Sequence, residues 1–367
     1  MKGRDKVYLD ILRIIAIFLV VYNHTPGFYL PPYSNWSDMG YYSMLLQSEI
    51  TKMAVPLFLM VSGALLLHKE ESILELFKKR ILRFVAVLLI IALIQYSLYC
   101  HWEKEGVFDI HFFISKLYSG SIGWNKFHAN WFLFAYLGIL LLLPLLRITA
   151  KGISHRVFIY LLGLQTILCC IIPLISMIGL DNYVEFSGIN RWFPFHPYTR
   201  TLPFSYGYVI FYVLMGYYIE HLFPMEIWQK HKAKLITLAL GCLVAGVACM
   251  EIARHYQDEK QLHQAVIYLT SFLPIPCAVV YMWFKGECSG SGLSPIKKKI
   301  IGALGGAVFT VMLVENLFRI KWDGIYKTLL PEINRVPAAL VYTAAIWAAG
   351  LLVGLVLKRI PFVKRIF

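Results

Sequence analysis

Long apolar runs, separated by short polar stretches, dominate the chain. A helix needs about 20 mostly apolar residues to cross a bilayer, and about ten such runs occur. They lie near residues 7–24, 53–68, 81–100, 129–147, 156–178, 203–221, 233–251, 265–284, 299–318 and 336–357. The pattern predicts an all-α integral membrane protein with about ten transmembrane helices. We expect residues 1–367 to form a single membrane domain, with no separate soluble domain.

The composition agrees with this pattern and excludes a soluble protein. Hydrophobic residues make up 59% of the 367 residues and charged residues only 15%, whereas about a quarter of the residues in soluble domains are charged. The mean hydropathy is +0.63. The net charge of +14 accompanies no soluble stretch long enough to form a basic nucleic-acid-binding module, so no nucleic-acid partner is expected.

The basic residues instead indicate how the chain lies in a membrane. Roughly two thirds of the 35 Lys and Arg residues fall on the side of the predicted bundle that holds both termini. Cytoplasmic loops carry such an excess, which predicts cytoplasmic termini and a multi-pass protein of the cell membrane with the lipid bilayer as its partner. The cysteines and histidines form no CxxC or HExxH spacing, so no metal is expected.

The first span carries ionisable residues, which are costly in a membrane and are therefore functional candidates. At about 100° per residue, Asp10, Arg13 and His24 share one helix face. Arg13 and His24 are separated by roughly 16 Å along the axis, so the polar stripe reaches from the cytoplasmic side to the outer half of the membrane. The alternative is a local Asp10–Arg13 ion pair, with His24 as an interfacial residue.

A second basic pattern opens the third span. Lys78 and Lys79 are expected to be topology anchors. Arg80 and Arg83 have i, i+3 spacing and can converge on one anion, and guanidinium groups suit phosphate geometry. This pair is therefore a candidate phosphate clamp.

Aromatic and hydrogen-bonding residues are mixed in two predicted outer segments, 25–47 and 181–206. The second segment contains Arg191 beside Trp192. Flat aromatic faces beside polar groups suit sugar rings, which favours a glycan ligand. The alternative is an ordinary belt of interfacial aromatic residues.

Five motifs occur together and in a recognisable order. Asp10-x2-Arg13-x10-His24 is followed by VPLFLMVSGALLL (55–67), KRILR (79–83), HANWFL (128–133) and IFYVLMGYYI (210–219). In these motifs the chain resembles the acyltransferase 3 family along nearly its whole length. The resemblance implies an acyltransferase that moves an acyl group, usually acetyl, from cytoplasmic acyl-coenzyme A to an extracytoplasmic glycan or related acceptor.

The resemblance also implies roles for individual residues. His24 matches the catalytic histidine and Arg13 its partner in the first helix. Arg80 and Arg83 match the Arg-x-x-Arg pair at the coenzyme A end, where we also place Asp10.

Outside the first and third spans, the resemblance is less specific. Trp131 matches a Trp-Phe pair of the family and is a candidate for acceptor binding with Arg191 and Trp192, or else part of an aromatic belt. Ser62 and Gly63 are expected to permit close helix contact.

One position departs from the family pattern. FTVMLVEN (309–316) places Glu315 where the family usually has a histidine. Glu315 comes about as far along an outward-going helix as His24, so the two side chains could meet, and the carboxylate would fix the tautomer of the imidazole. We therefore include Glu315 in the catalytic set. The alternative is that Glu315 caps the outer end of its helix in water.

Two functions compete with acyl transfer. A transporter of a small solute such as serine would also use a polar stripe, and a non-catalytic subunit of polysaccharide export would need no catalytic histidine. For a transferase, we expect the acyl group to reach the acceptor directly or through a separate extracytoplasmic relay protein.

Overall fold

The structure is a computed structural model that describes residues 6–25, 38–103, 107–118, 131–171, 200–202, 205–256, 272–288, 292–329 and 335–360. Helices account for nearly all of these residues. Two short strands, β1 (Arg200–Leu202) and β2 (Ser205–Tyr206), form one antiparallel pair.

Thirteen α-helices occur within the described residues. They are α1 (Val7–Asn23), α2 (Asp38–Lys52), α3 (Ala54–Leu66), α4 (Ile73–Leu76), α5 (Leu82–Glu103), α6 (Ile110–Tyr118), α7 (Trp131–Gly152), α8 (His155–Thr166), α9 (Gly207–His221), α10 (Met225–Tyr256), α11 (Pro274–Cys288), α12 (Pro295–Leu329) and α13 (Arg335–Leu357). A π-helical segment, Phe77–Ile81, joins α4 to α5, and another, Ile167–Ile171, extends α8.

Within the described residues, six helical stretches are long and apolar enough to cross a membrane. They are Leu45–Leu66, Ile73–His101, Trp131–Gly152, Met225–Cys249, Pro295–Arg319 and Val336–Leu357. Each overlaps a predicted span, which supports a helical membrane protein. The other four predicted spans overlap α1, α8, α9 and α11, whose described lengths are 17, 12, 15 and 15 residues. The total of ten spans stays a prediction.

The sequence analysis placed residues 25–47 in an outer loop, but residues 38–47 belong to α2, which leads almost directly into α3. The end of α2 carries buried polar side chains at Ser48, Glu49, Thr51 and Lys52. They are buried because α2 packs against α1, α3 and α10. Hydropathy does not reveal such a helix, since its polar face is covered by protein and not by lipid.

Helix α1 lies between several other helices and carries the polar stripe. It packs against α2, α3, α11, α12 and α13. Leu12 and Ala16 near its middle are fully buried. Its ionisable side chains therefore have protein neighbours on several sides, which is the usual setting for charged residues within a membrane.

Helices α3 and α9 cross at two glycines. A Cβ atom at Gly63 would lie 1.8 Å from the backbone oxygen of Val213, and one at Gly216 would lie 1.9 Å from that of Met60. Both positions therefore require glycine for the observed contact. The close helix contact predicted for Ser62 and Gly63 is confirmed at Gly63.

Candidate functional site

Two polar groups lie near opposite ends of α1. We call Arg13, Lys69, Glu71, Arg80 and Arg147 the charged cluster. We call His24 and Glu315 the histidine site. Arg13 and His24 are separated by eleven residues of α1, a rise of roughly 16 Å.

The histidine site joins the end of α1 to α12. His24 is the residue directly after α1, and its Nδ1 atom lies 2.9 Å from Oε1 of Glu315. The Glu315 side chain is fully buried, whereas that of His24 is 23% exposed. An ionised carboxylate only accepts hydrogen bonds, so it holds the proton on Nδ1 and leaves the Nε2 lone pair for another group. The alternative in which Glu315 caps its helix in water is wrong, because no part of its side chain reaches the surface.

Neighbouring side chains hold the end of α1 in place. Nζ of Lys52 donates to Oδ1 of Asn23 at 3.0 Å, which ties α1 to α2. The hydroxyl groups of Thr25 and Thr343 are 2.9 Å apart, which ties the same end to α13. His24 lies between these two attachments, so its backbone position is fixed from both sides.

The charged cluster is organised around Glu71, in the connection between α3 and α4. Arg80 donates to both of its carboxylate oxygens, from Nε at 2.6 Å and from Nη2 at 3.0 Å. Nη2 of Arg147, near the C-terminal end of α7, lies 3.3 Å from the same carboxylate, and its Nε donates to the Leu66 carbonyl at 3.2 Å. The hydrogen bond from Arg80 holds the pKa of Glu71 below its usual range, although partial burial opposes this.

Positive charge exceeds negative charge in this region. Burial lowers the pKa of Lys69, and the nearby guanidinium groups of Arg80, Arg147 and Arg13 lower it further, against the opposing effect of Glu71. Burial and the charge of Arg13 likewise lower the pKa of Lys358, which directly follows α13. Cations that disfavour one another's charged forms are stabilised by an added anion.

Asp10 links the charged cluster to α12. Its Oδ1 accepts from Nη1 of Arg13 at 3.4 Å, which is the local i, i+3 ion pair considered above as the alternative to a functional stripe. A Cβ atom on Gly305 would lie 2.6 Å from that of Asp10. Glycine at this position therefore lets α12 pack directly against the polar stripe of α1.

The remaining predicted site residues are not all brought together. Arg83 is exposed on α5, and the second guanidinium beside Glu71 is that of Arg147. Trp131 is the half-buried first residue of α7, with its ring edge-on to Phe132 at 6.0 Å. Arg191 and Trp192 lie outside the described residues.

Sequence reasoning missed Glu71 and Arg147 as members of the cluster. The available signal was their position, since Glu71 lies in a loop, and Arg147 at the end of a span, that are predicted to face the same side of the membrane. Among the described residues, no three His, Cys, Asp or Glu side chains are grouped so that they could hold a metal ion.

Comparison with known proteins adds one finding to this geometry. No curated protein and no solved structure matches the chain significantly. The family model of acyltransferase 3, described as an acyltransferase domain, matches residues 6–357. Together with the six apolar helices, this match supports a membrane protein with acyltransferase activity. The chain belongs to the acyltransferase 3 family.

Proposed function

We propose that the protein transfers an acyl group, acetyl in the simplest case, from cytoplasmic acyl-coenzyme A to a hydroxyl group of an extracytoplasmic glycan or related acceptor. The observation that carries this proposal is the contact between His24 and Glu315, at the far end of α1 from a cluster with surplus positive charge. Family membership favours this function over solute transport and over a non-catalytic role in polysaccharide export.

The charged cluster is suited to the phosphate groups of coenzyme A. Guanidinium groups bind phosphate oxygens in pairs, and Arg80 and Arg147 already face one carboxylate together. Lys69 adds a third cation beside them. A phosphate group that approaches this cluster would relieve the repulsion among these cations and could share the guanidinium donors with Glu71.

The clustering also supports the predicted orientation in the membrane. Lys69 and Arg80 come from one polar segment, Arg147 and Lys358 from two others, and the loop pattern assigned all four residues to the side of the termini. Electrostatic interactions link each of them to another member of the group or to Arg13. We therefore place the charged cluster and both termini on the cytoplasmic side of the cell membrane, with ten spans in the full chain.

The chemistry that we assign to His24 is general base catalysis. Nε2 takes the proton of the acceptor hydroxyl as its oxygen attacks the thioester carbonyl carbon. The carbon–sulfur bond then breaks, and the thiolate of coenzyme A takes that proton back from His24. Glu315 stabilises the imidazolium between these two steps and keeps the ring oriented. A covalent acyl-histidine relay would use the same two residues, with Nε2 as the nucleophile.

The test is the affinity of the purified protein for acetyl-coenzyme A in detergent, measured by calorimetry. We expect saturable binding that Arg80→Ala weakens about tenfold, which corresponds to about 1.4 kcal/mol. Lys78→Ala is the matched control, because Lys78 is an exposed cation of the same segment, and it should change the affinity less than about twofold. A transporter or an export subunit predicts no saturable binding, and that result would overturn the proposal.

A further inference from the structure

The residue after Glu315 is an asparagine whose side chain is buried and makes only part of its possible hydrogen bonds. Asn316 is fully buried on α12. Its Oδ1 accepts a hydrogen bond from Nη1 of Arg319, one turn further along, at 3.4 Å. This contact fixes the orientation of the amide, since the oxygen faces the guanidinium and the NH2 group faces elsewhere. Within the described residues, the Nδ2 atom has no hydrogen-bond partner.

Two neighbouring atoms share this condition. Oε2 of Glu315 and Nε of Arg319 are also buried and have no hydrogen-bond partner among the described residues. Leaving a buried donor or acceptor unpaired is costly, so each such atom calls for an explanation, such as an ordered water, an ion or a catalytic role. Three of them occur within five residues of α12, and one of the three belongs to Glu315, whose other oxygen contacts the imidazole of His24. The set contains two donors and one acceptor, which suits a polar ligand.

Asn316 lies on the face of α12 that is turned toward the polar stripe of α1. Gly305, Phe309, Met312 and Asn316 follow one another at helical spacing and therefore share that face. At one end of the row, Gly305 packs against Asp10 of α1. In the middle, Phe309 contacts Phe84 of α5, with ring centroids 5.9 Å apart. Asn316 ends this row on the same turn as Glu315.

We infer that Asn316 is a further catalytic residue, whose Nδ2 group donates a hydrogen bond to the thioester carbonyl oxygen as that oxygen becomes negatively charged. The inference rests on the proposed transferase function. When the acceptor oxygen forms its bond to the carbonyl carbon, the carbonyl π electrons move onto the oxygen. They return when the carbon–sulfur bond breaks and the thiolate leaves. A fixed donor at that oxygen stabilises the tetrahedral intermediate more than the substrate, and so raises the rate of the chemical step.

Arg319 is a positioning residue in this arrangement. Its contact with Oδ1 keeps the NH2 group of Asn316 facing away from the guanidinium. The three residues have different roles. His24 moves the proton, Glu315 orients His24, and Asn316 stabilises the negative charge that develops on the carbonyl oxygen.

The experiment measures acetyl transfer to the acceptor by Asn316→Ala and Asn316→Leu in detergent. The leucine variant nearly preserves the shape of the side chain without polar atoms, so it remains informative if the alanine variant folds poorly. For both variants, we expect kcat to fall about 100-fold and KM for acetyl-coenzyme A to change less than about threefold. The pH at which the rate is half-maximal should not move, because an amide does not titrate. Gln165→Ala removes another buried amide, on α8, and should leave kcat within about twofold.

The results with the Asn316 variants and with His24→Ala separate a failure of the inference from a failure of the proposed function. An unchanged kcat in a folded Asn316 variant would overturn the inference. A loss of kcat accompanied by a shift in the pH of half-maximal rate would also overturn it, because Asn316 would then act by holding Glu315 and not by binding the carbonyl oxygen. If the wild type transfers acetyl groups and His24→Ala does not, the proposed function stands whatever the Asn316 variants do. If the wild type transfers none, the proposed function itself fails, and the inference fails with it.

Discussion

The charged cluster and the histidine site show two ways of placing ionisable residues within one helical bundle. In the charged cluster, two guanidinium groups share the carboxylate of Glu71, and Arg80 keeps 28% of its side chain exposed. In the histidine site, a fully buried carboxylate meets one ring nitrogen of one histidine. The ionic contacts of the cluster therefore involve several cations, whereas the histidine site depends on a single contact. We expect substitutions in the cluster to affect binding and substitutions in the histidine site to affect the rate.

The largest effect should come from Glu315→Gln, which keeps the size of the side chain and removes its charge. The amide can donate to Nδ1 and so hold the imidazole in the tautomer that lacks a free Nε2 lone pair. We expect kcat for acetyl transfer to fall about 10²- to 10⁴-fold, with KM for acetyl-coenzyme A nearly unchanged. A change in KM without a change in kcat would place Glu315 with the charged cluster.

Glu49→Gln is the matched control for that variant. Glu49 is also a fully buried carboxylate, and neither of its oxygens has a hydrogen-bond partner among the described residues. It lies against Gly246 of α10, where a Cβ atom would be 2.8 Å from the carboxylate carbon. Since this contact does not involve His24, we expect kcat to change less than about threefold. A fall in kcat as large as that of Glu315→Gln would show that removing the charge of a buried carboxylate lowers the activity in general, and not only beside His24.

A smaller effect is expected from Arg147→Ala. The substitution removes one of the two guanidinium groups beside Glu71 but leaves Arg80 and Lys69 in place. KM for acetyl-coenzyme A should rise about five- to tenfold while kcat stays constant. The double variant with Arg80→Ala should lose less than the two single losses combined, because both arginines act on the same carboxylate. Full additivity would mean that the two arginines act independently.

The smallest expected effect is a pH-dependent change in the unfolding temperature. The pKa of Glu71 is lower in the folded protein than in the unfolded chain. Its ion pairs therefore stabilise the fold at pH values above the pKa of the unfolded chain, and this stabilisation is lost as the pH falls through the pKa of the folded protein. We expect Glu71→Gln to unfold roughly 2 °C below the wild type at neutral pH. That difference should stay constant down to about pH 5 and shrink below about pH 4. A difference that grows with acidification would contradict the assigned sign.

The apolar pattern located the six helical stretches that are long and apolar enough to cross a membrane, and it failed at α2. Lipid-facing helices are apolar around much of their surface, so hydropathy locates them directly. Glu49 and Lys52 made the end of α2 look like a loop, although other helices bury both side chains. Hydropathy measures the residues themselves and does not register which neighbours cover them.

The site could be predicted where its residues share one helix. The common face of Asp10, Arg13 and His24 followed from helical geometry, and the family pattern drew attention to Glu315. The pairing of Glu71 with Arg147 joins residues far apart in the sequence, which no periodicity reveals. Asn316 was not singled out, because the role that we propose for it depends on the direction of its amide and therefore on the contact with Arg319.

The most direct test of the central claim uses sealed membrane vesicles with the cytoplasmic face outward and the glycan acceptor inside. Radiolabelled acetyl-coenzyme A is added outside, and label on the enclosed acceptor is counted for the wild type and for His24→Ala. We predict that the wild type labels the acceptor and that His24→Ala labels it at least about 100-fold more slowly, although it binds acetyl-coenzyme A equally well. Labelling by His24→Ala at the wild-type rate would contradict the account.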